Sequence, residues 1–319
     1  MPLDSRLSAS RRSPLLEAAI VARRYYIDNK QKSEIADELG ISRFKVARLL
    51  DDARAQGLVH IQVDMPAELD LPLGDRLAAR FGLSRAVVVN TADSSVDMTT
   101  YLLGQACADL LEAFVDVDDV LGITWGATLT RVADALSTLP QCTLVQLVGG
   151  VSSVDLNVSG VELLRRIGSK TNGPTHALHA PLLVRNAAVA SDLRAEPEIA
   201  STLSKCDSLT AALVGIGSWN ENSTFYAHVD ETEREEFRTR GAVADMCALV
   251  FDGNGELLEG SLSERTIGIS AEQLRKVPDV IAVAGGADKV PAIRAALASG
   301  IPNTLVTDSI TAETLLADA

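Results

Sequence analysis

The sequence predicts a two-part α/β protein: an N-terminal helix-turn-helix unit, winged-helix-like, followed by a doubly wound α/β domain. Three observations predict it. Residues 31–50, QKSEIADELGISRFKVARLL, read as two short amphipathic helices on either side of a turn glycine. From Ala86 onward, short apolar strand-like runs alternate with helical ones, the pattern of an open parallel sheet covered on both faces. The charge divides too. Residues 1–60 hold 11 Lys/Arg against 8 Asp/Glu, and residues 61–319 hold 18 against 35, so a total of −14 separates into +3 and −17. The cationic surface therefore belongs to the first part, and the second repels polyanions.

Taken in order, residues 1–13 are polar and lack the apolar core of a signal peptide, so a disordered arm is expected, with Arg11 and Arg12 free to touch phosphate. Ser13-Pro14 signals a helix start, and Leu15, Leu16, Ala19, Ile20 and Ala22 supply an apolar face up to Tyr25 and Tyr26. In the next helix Ser33 is the expected cap and Ile35, Ala36 and Leu39 the inner stripe. Gly40 permits the left-handed backbone of a sharp turn, and Ile41 plugs it. Ser42 is the expected cap of the following helix, whose inner face is Val46, Leu49 and Leu50. Arg43, Phe44, Lys45 and Arg48 are left outward, where a recognition helix meets base edges and phosphates, and with Ser33 and Ser42 they make up the candidate DNA-binding set. A plain helical hairpin with solvated basic residues is the competing reading. Leu58–Val63 alternates like a strand and suggests a wing. The domain bounds expected are 1–63, a proline-bearing linker at 64–73, and 74–319.

In the second part a helix is expected at Gly74–Phe81. Strands are expected at Ala86–Val89, Asp119–Ile123, Thr143–Val148, Ala177–Leu183, Ala211–Ile216, Ala248–Phe251, Val280–Ala284 and Thr304–Thr307, with helices between them. Ligands of such sheets sit at the carboxyl ends of strands. There the sequence offers Gly122, Thr124, Trp125, Gly126 and Thr128 ahead of a helix N-terminus, a cradle for an anion or a polyhydroxylated ligand. A structural turn explains that loop equally well. Gln146 with Gly149 and Gly150, then Gly217, Asp245 and Lys289, complete the candidate set. Carboxylates accept hydrogen bonds from sugar hydroxyls, and a lysine ammonium suits phosphate. A bisphosphate would want two cationic clusters, so a monophosphate or an uncharged sugar or polyol is favoured, unless Arg185, Arg194 or Arg265 folds inward.

Other chemistries are poorly supported. The loop at Gly122 is neither a Walker loop nor a GxGxxG turn, and no cofactor is expected. His176 and His179 lack the companions of a metal site. Ser218 in GIGSW lacks the nucleophile elbow, and no catalytic pair is suggested by spacing. Cys107, Cys142, Cys206 and Cys247 are scattered, as suits reduced cytoplasmic thiols, and no apolar run is long enough to span a bilayer.

The segments SEIADELGISRFKVARLL, GITWGATL, QLVGG, LVGIGS, GAVADMCALVFD and VIAVAGGADKVPAIRAALASGIPNTLVTD, in that order, together resemble the SorC family of bacterial sugar-responsive transcriptional regulators. They span almost the whole chain. The resemblance implies an N-terminal DNA-binding domain and an effector domain similar in fold to sugar-phosphate isomerases and glucosamine-phosphate deaminases. It also implies double-stranded operator DNA and a small carbohydrate as partners, in a homo-oligomer, dimer or tetramer. Ala244 departs from the family pattern, which often has glycine there. Two rivals remain: a sugar-phosphate isomerase or deaminase with an appended DNA-binding unit, and a regulator sensing a protein partner.

Overall fold

A computed structural model describes residues 14–59, 69–91, 94–151 and 159–317. The chain divides into two compact units, Met1–Met65 and Pro66–Ala319. The predicted arm, the linker up to residue 68 and the wing strand beyond residue 59 lie outside the described residues.

The first unit packs three helices, α1 (Pro14–Tyr26), α2 (Lys32–Leu39) and α3 (Arg43–Ala55). Their shared core is Ala18, Val21, Ala22, Ile35, Ala36, Val46, Leu49, Leu50 and Ala53. Small residues on α1 and α2 let the axes approach, so branched side chains from α3 fill the gap. Gly40 ends α2 at φ 66°, and its N–H reaches the Ala36 carbonyl. Ser42 caps α3 by accepting from the Lys45 N–H at 3.2 Å. Ser33 is not a cap. It lies inside α2, where Gln31 takes the capping position and the Glu34 carboxylate accepts the Gln31 N–H at 2.7 Å.

The first helix of the second unit begins three residues earlier than its sequence suggests. Asp70 caps α4 (Leu71–Phe81), with Pro72 tolerated in the first turn because it owes no hydrogen bond there. There follow β1 (Arg85–Val89), α5 (Val96–Phe114), β2 (Val120–Ile123), α6 (Ala127–Ala135), β3 (Thr143–Gln146), α7 (Gly160–Gly168) and β4 (Thr175–His176). Next come α8 (Ala187–Ala195), α9 (Pro197–Ser204), β5 (Ala211–Gly215), β6 (Gly217–Ser218), α10 (Thr224–His228), α11 (Glu231–Thr239), β7 (Ala242–Met246) and β8 (Leu249–Asp252). The chain continues through α12 (Ser261–Glu264), α13 (Ala271–Lys276), β9 (Asp279–Val283), α14 (Val290–Ala298), β10 (Thr304–Asp308) and α15 (Ser309–Ala317).

Seven strands form one parallel sheet in the order β1-β10-β9-β5-β2-β3-β4. Its inner strands are apolar on both faces. Along β5, Ala212 and Val214 enter one core while Ala211 and Leu213 enter the other; β9 divides in the same way, Val280 and Ala282 against Ile281 and Val283. This two-sided burial explains why these strands read as unbroken apolar runs.

Two expected strands differ. Ala177–Leu183 is not a strand: β4 stops at His176, and only isolated bridges join Gly150 to Pro181 and Leu183 to Thr266. Pro181 has no N–H to give a ladder. The run at Ala248–Phe251 does not join the parallel sheet. As β8 it is the edge of a separate antiparallel sheet, β6-β7-β8. Against this small sheet packs an aromatic group in which Trp219 meets Phe225, Tyr226 and Phe237 at centroid distances of 5.3–6.1 Å.

Candidate functional site

In the large sheet β5 sits between β2 and β9, and the chain winds outward from this point in both directions. A cleft at the carboxyl ends of strands follows from such a reversal. The structure has one there, about 110 Å³, bounded by the loop from Thr124 to Leu129, by Gly215–Gly217, by Asn222–Thr224, by Asp245, Cys247 and Ala248, and by Lys289.

Each wall has a local cause. Gly126, at φ 155°, precedes α6, and no side chain caps that helix. The first turn of α6, with Thr128, therefore opens on the cleft with its partial positive charge. Gly217 is in β6 because a Cβ there would collide with the Asp245 carboxylate and the Ser223 hydroxyl. Asp245 lies in β7, paired with Val250 of β8. It is 7% exposed and accepts the Ser223 hydroxyl proton at 2.8 Å. Burial raises its pKa to about 6, and the Ser223 hydrogen bond and the Lys289 charge only partly oppose this.

Lys289 ends the 3-10 turn Ala287–Lys289 at the start of α14. That turn is fastened from below. The Gly286 N–H donates to Asp308 Oδ2 at 2.8 Å, the Thr311 hydroxyl donates to the same oxygen at 2.6 Å, and the Lys289 N–H donates to the Gly286 carbonyl at 2.9 Å. Lys289 is the only cation, and Asp245 the only carboxylate, among the described lining residues.

Of the candidate effector residues, Thr124, Trp125, Gly126, Thr128, Gly217, Asp245 and Lys289 line this cleft. Gly122, Gln146, Gly149 and Gly150 do not. Gly122 lies in β2 where a Cβ would come within 2.5 Å of Leu147. Gln146 is buried and spent: its amide donates to the Val148 carbonyl at 2.8 Å and accepts the Leu178 N–H at 3.2 Å. Gly149 and Gly150 give their N–H groups to Ile267 and Ala180 at 2.9 Å. His176 and His179 are also absent from the lining. Arg265 is held by Glu233 and the Val184 carbonyl, and Arg194 by the Thr266 carbonyl. Neither they nor Arg185 lines the cleft.

Sequence reasoning missed Asn222, Ser223 and Thr224. The turn before a five-residue helix carries no periodic signal, although Asn-Ser-Thr after a strand is a visible cluster of capping residues. The cysteines are free and buried, and no cluster of metal-ligating side chains occurs among the described residues.

In the first unit Arg43, Phe44 and Arg48 are exposed, and Phe44 is 89% exposed. Lys45 differs from its outward-facing expectation, since its ammonium is paired with Glu17 of α1 at 2.8 Å.

A helix-turn-helix unit joined to an α/β domain with a polar cleft at its switch point defines a ligand-responsive transcriptional regulator. The family described as "Putative sugar-binding domain" matches residues 65–317. The sorbitol operon regulator of Klebsiella pneumoniae is 30% identical over 302 residues, covering 93% of this chain and 96% of that protein. The deoxyribonucleoside regulator of Bacillus subtilis is 29% identical over 301 residues, with the same coverage. The transcriptional regulator LsrR of Enterobacter sp. is 32% identical over 314 residues, 95% of this chain and 94% of that one. The crystal structure of the full-length sorbitol operon regulator SorC from Klebsiella pneumoniae superposes with a TM-score of 0.75 at 28% identity, over 96% of this chain and 100% of that chain. The chain belongs to the SorC family of sugar-responsive transcriptional regulators. No helix among the described residues is long and apolar enough to cross a membrane.

Proposed function

We propose that the cleft at the ends of β2, β5 and β9 takes a monophosphorylated sugar or polyol, and that its occupancy sets operator affinity through the first unit. The observation that carries this reading is the convergence of an uncapped helix N-terminus, Lys289 and Asp245 on one small cleft. The α6 N-terminus and Lys289 suit one phosphate. Asp245, Asn222, Ser223 and Thr124 suit hydroxyls. A volume of about 110 Å³ is below that of pockets for drug-sized ligands, which favours a compact ligand. Relatives named for sorbitol and deoxyribonucleosides support a carbohydrate. Residues 1–63 carry operator recognition, with Arg43, Phe44 and Arg48 outward, and the assembly is a homo-oligomer, so that two half-sites are read together.

The second domain is strongly acidic and repels DNA, so effector binding acts by rearranging subunits. Couplings of this kind are about 1–3 kcal/mol, or roughly 5–150-fold in affinity, and they are reciprocal. The test has two stages. A thermal-shift screen of sugars, polyols and their monophosphates identifies the ligand, because binding to the native state raises stability. The ligand is then titrated with and without saturating operator DNA. The expected result is a shift in ligand affinity equal to the shift that ligand causes in operator affinity, and identical affinities in the two titrations would overturn the coupling. Turnover of the same phosphates would favour an isomerase or deaminase instead.

A further inference from the structure

We propose that Phe44 is a specificity-determining residue that reads thymine, its ring lying against the C5 methyl of one thymine in each operator half-site. The inference rests on the DNA-binding reading above and adds the base chemistry it recognises.

The geometry begins with what α3 has already spent. Val46, Leu49, Leu50 and Ala53 are buried against α1 and α2. Ser42 Oγ accepts the Lys45 N–H and so serves its own helix. Lys45 is drawn back to Glu17. Positions 44 and 48 are one helical turn apart, on the face opposite the buried stripe. In the first two turns that leaves Phe44 and Arg48 as the outward pair, with Arg43 exposed beside them, while Asp51 further along the same face is paired with Arg54.

An aromatic ring stabilises a fold by burying its area. Phe44, at 89% exposed, contributes almost nothing of that kind. It is among the most exposed large apolar side chains described, and it stands in the first turn of the helix that a helix-turn-helix presents to the major groove. The flanking arginines make a polyanion the complementary partner. Base edges in the major groove offer hydrogen-bond donors and acceptors and a single apolar group, the thymine methyl. Phenylalanine can neither donate nor accept, so that methyl is the base-edge group it favours.

The experiment uses the full-length protein. Duplexes that it binds are selected from a random pool, and each thymine of the bound site is replaced in turn by uracil, which removes only the methyl. One thymine per half-site should then lose about three- to tenfold in affinity, the scale of one buried methyl. Phe44→Ala should bind thymine and uracil versions alike, while Arg43→Ala keeps the thymine preference and loses affinity for both. Because Phe44 is outside the core, circular dichroism of Phe44→Ala should match the parent. Uracil tolerated everywhere, or penalised equally in Phe44→Ala, would overturn the proposal while leaving DNA binding intact. A change of oligomeric state in Phe44→Ala with no uracil effect would assign the ring to a subunit contact instead. A pool that yields no bound duplex would overturn the DNA-binding reading itself, and this inference with it.

Discussion

The carboxyl ends of β2 and β3 lie side by side in the parallel sheet, and both run into glycine-bearing loops. After β2 the chain opens: Gly126 adopts φ 155°, α6 starts without a side-chain cap, and Thr124 and Thr128 border a cleft. After β3 the chain closes. Gln146 satisfies two backbone groups, Gly149 abuts the Pro181 carbonyl, and Gly150 bonds Ala180. The same residue types thus border an open cleft after one strand and serve the backbone after its neighbour. What separates them is whether polar groups are already partnered within the fold. A buried amide with both ends satisfied has little left for a solute.

That contrast predicts the largest effects. Gly217→Ala would push a methyl into the Asp245 carboxylate and the Ser223 hydroxyl and should abolish effector binding. Gly149→Ala would place a methyl 2.6 Å from the Pro181 carbonyl oxygen. It should lower stability by about 1–3 kcal/mol, the overpacking range, yet leave the remaining folded protein with its effector affinity. Lys289→Ala should weaken a phosphorylated ligand by roughly 10–100-fold, the worth of a charge-assisted bond, and its unphosphorylated analogue far less. Calorimetric titration together with denaturant melts separates affinity from stability. Lost binding in Gly149→Ala at temperatures where it is folded would break the contrast between the two strand ends. Equal losses for both ligands in Lys289→Ala would reduce Lys289 to a support of the fold.

Much of this was legible in the sequence where local physics dominates. Gly40, Ser42 and the apolar positions of α3 announce the helix pair, because cap and turn geometry depend on a few adjacent residues. The apolar runs of β2, β5, β9 and β10 announce a doubly covered parallel sheet. Which strand ends converge was less legible, since Asp245, Ser223 and Lys289 are brought together by tertiary structure alone. Nothing local distinguishes the Gly of Gly149-Gly150 from that of Gly126. The difference lies in what crosses over them, here the Ala180-Pro181 segment. Likewise the Lys45–Glu17 pair joins residues 28 apart and could not be read from helical spacing.

Asp245 sharpens the comparison through pH. Its carboxyl pKa rises from 3.8 to about 6 because burial opposes the charged form. A group that binds its proton more tightly when folded contributes stability that is full below pH 3.8 and lost as pH rises through 6. The shift corresponds to at most about 3 kcal/mol. Asp245→Asn cannot ionise and still accepts from Ser223, so without effector it should exceed the parent in stability at pH 7.5 and match it near pH 4. Urea melts at the two pH values measure this. An Asn variant less stable than the parent at pH 7.5 would mean that Lys289 holds the carboxylate charged. Gln146, with no titratable group, should give a variant whose stability deficit is the same at both pH values.

The smallest expected effect concerns the cleft wall itself. Cys247 and Ala248 form the two-residue turn between Met246 and Leu249, at φ 54° and 60°. Hairpin turns of this kind require positive φ at both central residues, which is why Asn-Gly is preferred there. An L-residue held left-handed costs roughly 1–2 kcal/mol. Ala248 is also buried, and its methyl contributes about 0.8 kcal/mol. Replacing it with glycine loses that methyl and adds about 0.5–1 kcal/mol of chain entropy, while it relieves the strain. The three terms nearly cancel, so Ala248→Gly should change stability by less than about 1 kcal/mol. Ala244 of β7 is also buried but keeps negative φ. Ala244→Gly recovers no strain and should cost about 1.5 kcal/mol. The difference between the two variants, read from urea melts, measures the strain stored in the turn that borders the cleft. Equal losses in both would show that the surrounding sheet holds Ala248 in its left-handed conformation at no cost, and the turn would then be a passive wall.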